Sequence, residues 1–164
     1  KSNIEVDLAG IVTKVLGRGG TLLIPAFAVG RTQDILYLLT KLTAEKKIKK
    51  PRVVIDSPMA TLVTEVYRHY SKWLKTAFNP TVLEALENSD FEYTSDADSS
   101  MLLCMDTSPK IVIAGSGMLQ GGRILHHLSA KLAEKPAPAR CYCRSSLRPL
   151  SSYLRLEVVA IDQC

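Results

Sequence analysis

The sequence has no apolar run approaching the roughly 20 residues needed to cross a bilayer, and no apolar signal core follows a basic start. It also has no Cys-x-x-Cys pair among its four cysteines, whose spacing offers no disulfide framework. These absences exclude a membrane-spanning or disulfide-stabilised chain. We therefore expect a soluble, cytoplasmic protein that has no membrane partner and whose thiols are buried or incidental.

The sequence also lacks a Walker A loop and a Gly-x-Gly-x-x-Gly fingerprint, the usual signatures of phosphate-binding loops. It contains no recognisable pair of nucleophile and base. His126 and His127 are adjacent on a predicted helix and point in different directions, without a further ligand at metal-binding spacing. His69 is interpreted as a packing or surface residue. The residues alone therefore predict no catalytic residue, no metal ligand and no cofactor in this chain.

A single domain is the default for 164 residues, of which 46% are hydrophobic and suffice for a sizeable core. Lys and Arg exceed Asp and Glu by 21 to 16, and the resulting charge of +5 gives only mild attraction to polyanions. The sequence starts within an amphipathic helical pattern and without an initiator methionine. We therefore expect a fragment of a longer protein.

Short apolar segments alternate with segments of helical periodicity. Strands are predicted at residues 21–27, 52–55, 91–93 and 110–114, and helices at residues 4–15, 31–46, 58–73, 82–86, 101–105 and 122–133. In the helix at 58–73, Ser57 is the expected N-cap and Pro58 the first residue. Leu62, Val66 and Tyr70 are its expected buried side. The alternation predicts an α/β fold with a mostly parallel sheet flanked by helices.

Three predicted strand-to-helix turns carry small and polar residues, at residues 27–33, 56–60 and 115–123. If the strands are parallel, all three turns lie at one edge of the sheet, beyond the carboxyl ends of the strands, where open α/β sheets bind ligands. Each turn would present a helix N-terminus with free backbone N–H groups, and Arg31 and Arg123 add positive charge. This edge is therefore predicted to bind anions, with phosphates as the obvious candidates.

Each turn also has a purely structural interpretation. Gly30 and the other turn glycines give backbone freedom, and Ser57 caps a helix. Arg31 and Arg123 are equally compatible with a surface position or with bonds to backbone carbonyls. Asp56 is expected to cap a helix or to bond within its own turn. Spacing alone leaves these alternatives open.

Taken together, the turns resemble those of the β-CASP nucleases, the group that includes ribonuclease J and the cleavage and polyadenylation specificity factor endonucleases. The matching stretches are residues 19–33, 54–60, 111–118 and 122–128, which occur in the family's order. The similarity covers about residues 3–135. It implies a Rossmann-like β-CASP domain at residues 1–135, without a metallo-β-lactamase core.

In that family the β-CASP domain is inserted into a metallo-β-lactamase domain, which holds two zinc ions and hydrolyses RNA with a metal-activated hydroxide. The resemblance implies that this chain is the RNA-binding half of a metal-dependent, RNA-processing nuclease. Its implied partners are single-stranded RNA and the metallo-β-lactamase domain of the parent protein. The residues expected to contact RNA phosphates are Gly30, Arg31, Ser57, Ser116, Gly117, Met118 and Arg123.

The sequence departs from the family pattern at the metal site. The family's His-x-His-x-Asp-His motif is absent, and so are the histidines that complete the site downstream. The two zinc ions are therefore expected in the missing metallo-β-lactamase domain. By itself this chain is predicted to be inactive as a hydrolase.

From residue 136 onward neither helical nor strand periodicity persists, and residues 140–144 stand where the family continues into an apolar strand. We expect residues 136–164 to form a divergent tail, either frameshifted or disordered, although residues 154–161 have the pattern of a strand. Two other functions stay open: a stand-alone phosphate-binding or nucleotide-binding α/β module, and an inactive truncated product. The oligomeric state is open as well.

Overall fold

One five-stranded sheet forms the centre of the protein. The computed structural model describes residues 4–70, 73, 80–133 and 159–161. Its strands are β1 (Thr21–Pro25), β2 (Val53–Asp56), β3 (Glu92–Tyr93), β4 (Lys110–Ala114) and β5 (Val159–Ile161). They lie in the order β3-β2-β4-β1-β5. The first four strands are parallel and β5 is antiparallel to β1, which confirms the predicted mostly parallel sheet.

Helices connect and cover these strands. They are α1 (Ile4–Gly17), α2 (Arg31–Ala44), α3 (Pro58–His69), α4 (Pro80–Glu87), α5 (Ala97–Met105) and α6 (Arg123–Ala133). Each corresponds to a predicted helix, with ends that differ by a few residues. None of these described helices is both long and apolar enough to cross a membrane.

The central strands are buried on both faces, as their unbroken apolar character predicts. Leu22 and Ile24 of β1 point to one face, where the apolar sides of α1, α2 and α4 pack. Leu23 points to the other face and packs with Leu103 of α5 and Ile124 of α6. The sheet is therefore the middle layer of a three-layer α/β structure.

The predicted buried side of α3 is wrong. Leu62 is 64% exposed, and Val66 and Tyr70 are each 54% exposed. The side that faces the protein carries Ala60 and Thr64 instead. These residues are small, and the Thr64 hydroxyl accepts a hydrogen bond from Gln33 Nε2 of α2 at 3.0 Å. A polar contact between two helices therefore sets the orientation of α3, and its apolar stripe faces outward.

The tail expectations fall mostly outside the described residues. This holds for residues 134–158 and 162–164, including the predicted boundary at residue 135. It also holds for the last part of the predicted helix at 58–73, of which only residue 73 is described beyond residue 70. Strand β5 lies within residues 154–161, where the pattern predicted a strand. The division into a domain and a divergent tail stays a prediction.

Replacing two leucines tests this description of the core and of α3. Leu36 of α2 is fully buried, so Leu36→Ala should lower the free energy of unfolding by about 2–5 kcal/mol. Leu62→Ala removes the same atoms from an exposed position and should change it by no more than about 0.5 kcal/mol. Urea denaturation of both variants measures the difference. Equal losses would show that α3 buries Leu62.

Candidate anion-binding rim

Three strands end together at one edge of the sheet. Pro25, the last residue of β1, is paired with Ala114 of β4, and Asp56 of β2 is paired with the same residue. The turns that follow the three strands therefore meet at this edge, as the sequence predicted. We call this edge the rim and define it as residues 26–33, 56–60 and 115–123.

The first and third turns of the rim are in direct contact. A Cβ atom on Gly117 would lie 2.9 Å from Cδ2 of Phe27 and 3.0 Å from its backbone nitrogen. No other residue type fits there without displacement of the first turn. The Phe27 side chain itself is 50% exposed, and Met118 beside Gly117 is 61% exposed. The contact thus leaves apolar groups on the outer surface of the rim.

The third turn is folded onto itself before α6 begins. The Ser116 amide donates to the Gly121 carbonyl at 3.1 Å, and the Ile124 amide donates to the Gly115 carbonyl at 2.8 Å. Gly122 has a φ of 76°, and a Cβ atom there would lie 2.5 Å from the Gly115 oxygen. Glycine is therefore required at position 122 to bring α6 close to the end of β4.

The prediction of free N–H groups at the three helix N-termini is wrong in part. Ser57 accepts the Ala60 amide of α3 at 3.3 Å, so this helix is capped by its own serine, as predicted. The Thr32 amide of α2 donates to Phe27, and the Ile124 amide is held by Gly115. Several first-turn N–H groups are thus already bonded, because the tight turns fold their own carbonyls back onto the helix starts.

Asp56 is the most heavily bonded side chain of the rim. The residue is completely buried, and its Oδ2 accepts hydrogen bonds from Ser100 Oγ and His127 Nε2, both at 2.6 Å. Its Oδ1 accepts from the Thr94 hydroxyl and from Arg123 Nη1, the latter at 2.7 Å. The predicted capping role of Asp56 is therefore wrong, since Ser57 caps α3 and Asp56 binds side chains from distant segments.

The protonation of Asp56 follows from these contacts. Burial raises the pKa of the carboxyl, but the hydrogen bonds from its four partners outweigh burial and hold the pKa well below its usual range. The Asp56 side chain is therefore a buried carboxylate, and the Arg123 guanidinium is its fixed counter-charge. The pair ties the second turn of the rim to the third.

His127 has a structural partner on each ring nitrogen. Besides the bond between its Nε2 and Asp56, its Nδ1 lies 3.3 Å from Cys104 Sγ, and the histidine is 1% exposed. Sequence reasoning missed this role. The signal was spacing, because Ile124, His127 and Lys131 recur at helical intervals and are all buried.

The Cys104 thiol is not placed as a nucleophile. Cys104 is only 6% exposed, and burial raises the pKa of its thiol. The expectation of a buried thiol is thus confirmed for this residue, while Cys141, Cys143 and Cys164 lie outside the described residues. Asp56, His127 and Cys104 form a chain of contacts inside the protein, without access for a substrate.

The resemblance places the family's two zinc ions in a different domain, and the described residues of this chain form no site for a metal ion. Among them, no three His, Cys, Asp or Glu side chains are grouped so as to hold a metal ion. The nearest candidates, Asp56, His127 and Cys104, contact each other directly, with Asp56 and Cys104 on different nitrogens of the imidazole. They do not converge on a common point, so we assign no metal to them.

Every sequence-predicted contact residue lies on the rim, in differing environments. Gly30 is the N-cap of α2 with a φ of 80°, and Arg31 is the first residue of that helix and is partly buried. Ser57, Ser116 and Gly117 are partly buried, and Met118 is exposed. The Arg123 side chain is 23% exposed, with one guanidinium nitrogen bound to Asp56. Contact of these seven residues with phosphate remains a prediction.

The mostly parallel sheet and its convergent turns define an α/β domain of the doubly wound kind, in which three turns meet beyond the carboxyl ends of the strands. Comparison with known proteins gives the family: a sequence model of the Beta-Casp domain matches residues 32–138, and the chain belongs to that family.

Three curated relatives illustrate the similarity. Ribonuclease TTHA0252 of Thermus thermophilus is 38% identical over 135 residues, covering 76% of this chain and 29% of the relative. An RNase J-like protein of Methanocaldococcus jannaschii is 30% identical over 138 residues, covering 83% and 31%. Transcription termination factor FttA of Lokiarchaeum sp. is 34% identical over 133 residues, covering 79% and 21%. The matched region is thus less than a third of each relative.

The dependence of the free energy of unfolding on acidic pH tests whether Asp56 is a buried carboxylate. Because the pKa of Asp56 is lower in the folded than in the unfolded protein, its contribution to stability is present above the unfolded value of about 4 and is lost as the pH falls below it. Asp56→Asn should therefore be less stable at pH 7 and lose stability less steeply between pH 5 and pH 3. Urea denaturation over this pH range measures how steeply the free energy of unfolding of each protein depends on pH.

The matched control is Asp98→Asn, which removes an exposed carboxylate at the start of α5. It should keep the slope of the unchanged protein. Some acid sensitivity should survive in Asp56→Asn, because hydrogen bonding to the Ser108 amide also lowers the pKa of Asp106. An undiminished slope in Asp56→Asn would contradict the account of the buried carboxylate.

Proposed function

We propose that this chain is the RNA-binding half of a metal-dependent RNA phosphodiester hydrolase, and that its rim holds phosphates of single-stranded RNA. The observation that carries the proposal is the common end of β1, β2 and β4, which gathers three helix starts and two arginines at one edge. The names of two relatives, Ribonuclease TTHA0252 and an RNase J-like protein, support RNA as the substrate.

The electrostatics of the rim support an anionic ligand. The N-termini of α2, α3 and α6 meet there, and each helix contributes roughly half a positive charge at that end. The first-turn N–H groups that are bonded within the turns reduce this potential but keep its sign. Arg31 and Arg123 add two full charges, which Asp34 and Asp56 partly offset. The sum is a positive edge suited to a chain of phosphates.

The apolar surface of the rim supports two further contacts. Phe27 is exposed beside Gly117, where an aromatic ring can stack on an RNA base. Val29, Met59 and Met118 are each more than 60% exposed, and they supply apolar surface for a domain that closes over the RNA. We assign that closing role to a metallo-β-lactamase domain of the parent protein, which would also hold the zinc ions and perform the hydrolysis.

A lysine-rich loop is the rival location for RNA. Lys46, Lys47, Lys49 and Lys50 border a groove of about 710 Å³ beside α1. The loop follows the end of α2 and precedes β2, so it lies at the sheet edge opposite the rim. Two of its charges are partly neutralised, by a bond of 2.6 Å to Glu45 and another of 3.0 Å to Asp90. We favour the rim because open α/β sheets bind ligands beyond the carboxyl ends of their strands, where three helix N-termini also meet.

Two substitutions, one at the rim and one in the lysine-rich loop, show which of these surfaces binds the RNA. Arg31→Gln acts at the rim, and Lys49→Gln is its matched control in the lysine loop. Arg31→Gln should weaken binding of a fluorescent single-stranded RNA and reduce the slope of log affinity against log salt by about 0.7, the value for one lost phosphate contact. Lys49→Gln should leave the slope unchanged. Fluorescence anisotropy over a series of salt concentrations gives both numbers.

Three results would contradict the proposal. A reduced slope in Lys49→Gln alone would move the RNA to the lysine loop. Saturable binding of a mononucleotide without salt-dependent RNA binding would instead favour the stand-alone nucleotide-binding module. Binding of neither ligand by the folded chain would favour an inactive product.

A further inference from the structure

Arg123 is bound to the described residues through one corner of its guanidinium group. Nη1 donates to Asp56 Oδ1 at 2.7 Å, to the Thr94 hydroxyl at 3.3 Å and to the Thr94 carbonyl at 3.4 Å. Within the part of the chain that the structure describes, Nε and Nη2 have no hydrogen-bond partner. The side chain is 23% exposed, so those two nitrogens are the ones left for an external ligand.

The chemistry of the guanidinium identifies that ligand. Nε and Nη2 point their N–H bonds in parallel and form a fork, which matches two oxygens of a phosphate. A second carboxylate of the protein does not occupy this fork among the described residues. The fork of Nε and Nη2 is therefore suited to bidentate contact with a phosphodiester.

Asp56 has little freedom to move. It is completely buried, and Ser100 and His127 hold its second oxygen, Oδ2, at 2.6 Å each. It is also the last residue of β2, which is hydrogen-bonded to β4 along its length. An arginine bound to such a carboxylate loses less rotamer freedom when it binds a ligand than an arginine that extends freely into water.

We propose that Asp56 is a positioning residue, which holds Arg123 by Nη1 so that its Nε and Nη2 fork faces an RNA phosphate on the rim. The inference rests on the proposed function, because it names one residue that acts through another at the same edge. Asp56 itself touches no RNA.

The direction in which one substitution changes the RNA affinity distinguishes a positioning role from a simple electrostatic effect. Asp56→Asn removes a negative charge close to an anion site while keeping the size of the side chain. By charge alone, it should strengthen RNA binding. If Asp56 positions Arg123, the same change should weaken binding, because the guanidinium loses its ionic hydrogen bond to Asp56 and with it its fixed orientation.

A double-mutant cycle on the full chain tests this. The four proteins are the unchanged chain, Asp56→Asn, Arg123→Gln and the double variant, and the probe is a fluorescent oligouridylate. We expect Asp56→Asn to weaken binding about tenfold when Arg123 is present, which corresponds to about 1.4 kcal/mol, roughly the net contribution of one hydrogen bond. In the Arg123→Gln background it should have no further effect.

The matched control is Ser100→Ala. It removes a hydrogen bond to Asp56 Oδ2 but leaves the contact between Oδ1 and Arg123. This variant should unfold at a lower temperature but keep its RNA affinity within about twofold, because His127 and the pairing of β2 with β4 still hold Asp56 in place. A general loss of stability would instead affect both variants alike. Circular dichroism shows that each variant is folded under the binding conditions.

The outcomes keep the two proposals apart. Absence of RNA binding by the unchanged chain would overturn the proposed function and this inference together. If the chain binds RNA, two results would overturn the inference alone: tighter or unaltered binding by Asp56→Asn, or equal weakening in both backgrounds. Weakening that depends on Arg123 supports it.

A second measurement covers the case in which Asp56→Asn does not fold. In the unchanged, RNA-free protein the guanidinium of Arg123 should give two resolved nitrogen signals for Nη1 and Nη2 in NMR spectra, because the bond to Asp56 stops its rotation. Addition of the oligouridylate should shift the Nε signal. An averaged Nη signal, or an Nε signal that does not move, would overturn the inference.

Discussion

Much of this structure depends on the register of three parallel strands. The pairing of β1 and β2 with β4 makes Pro25, Asp56 and Ala114 end on one line. Burial enforces that register, because β1 sends Leu22 and Ile24 to one packed face and Leu23 to the other. A shift by one residue would exchange the two faces of a strand and separate the turns. The packing of the core thereby determines the geometry of the rim.

The rim is held together by side chains as well as by the sheet. Gly117 lies against Phe27, Arg123 is bound to Asp56, and a third contact joins the helices that begin at the first two turns. Each of the three turns is therefore connected to the others. Such a surface is rigid before a ligand arrives, which reduces the entropy lost on binding. Because the turns are compact, several N–H groups in the first turns of the helices donate hydrogen bonds within the turns.

Local patterns predicted the elements of the fold and the position of the turns. Unbroken apolar runs identified the central strands, and Ser57 with Pro58 identified the start of α3. The buried side of α3 could not be predicted in this way, because a hydrophobic stripe normally faces the core, whereas here Thr64 binds Gln33. The hydrogen-bond partners of Asp56 could not be predicted from local sequence patterns either. Thr94 and Ser100 are 38 and 44 residues away, and no local period connects them to β2.

The buried carboxylate needs an explanation beyond stability. Removing a charge from water costs several kcal/mol, and a well-packed apolar group of similar size often serves the fold equally well. Asp56 divides its two oxygens between two regions: Oδ2 binds Ser100 and His127 in the interior, and Oδ1 binds Arg123 at the rim. An apolar residue would fill the same space but would leave the arginine without a fixed counter-charge. The position of Asp56 is therefore better explained by the orientation of Arg123 than by the packing of the core.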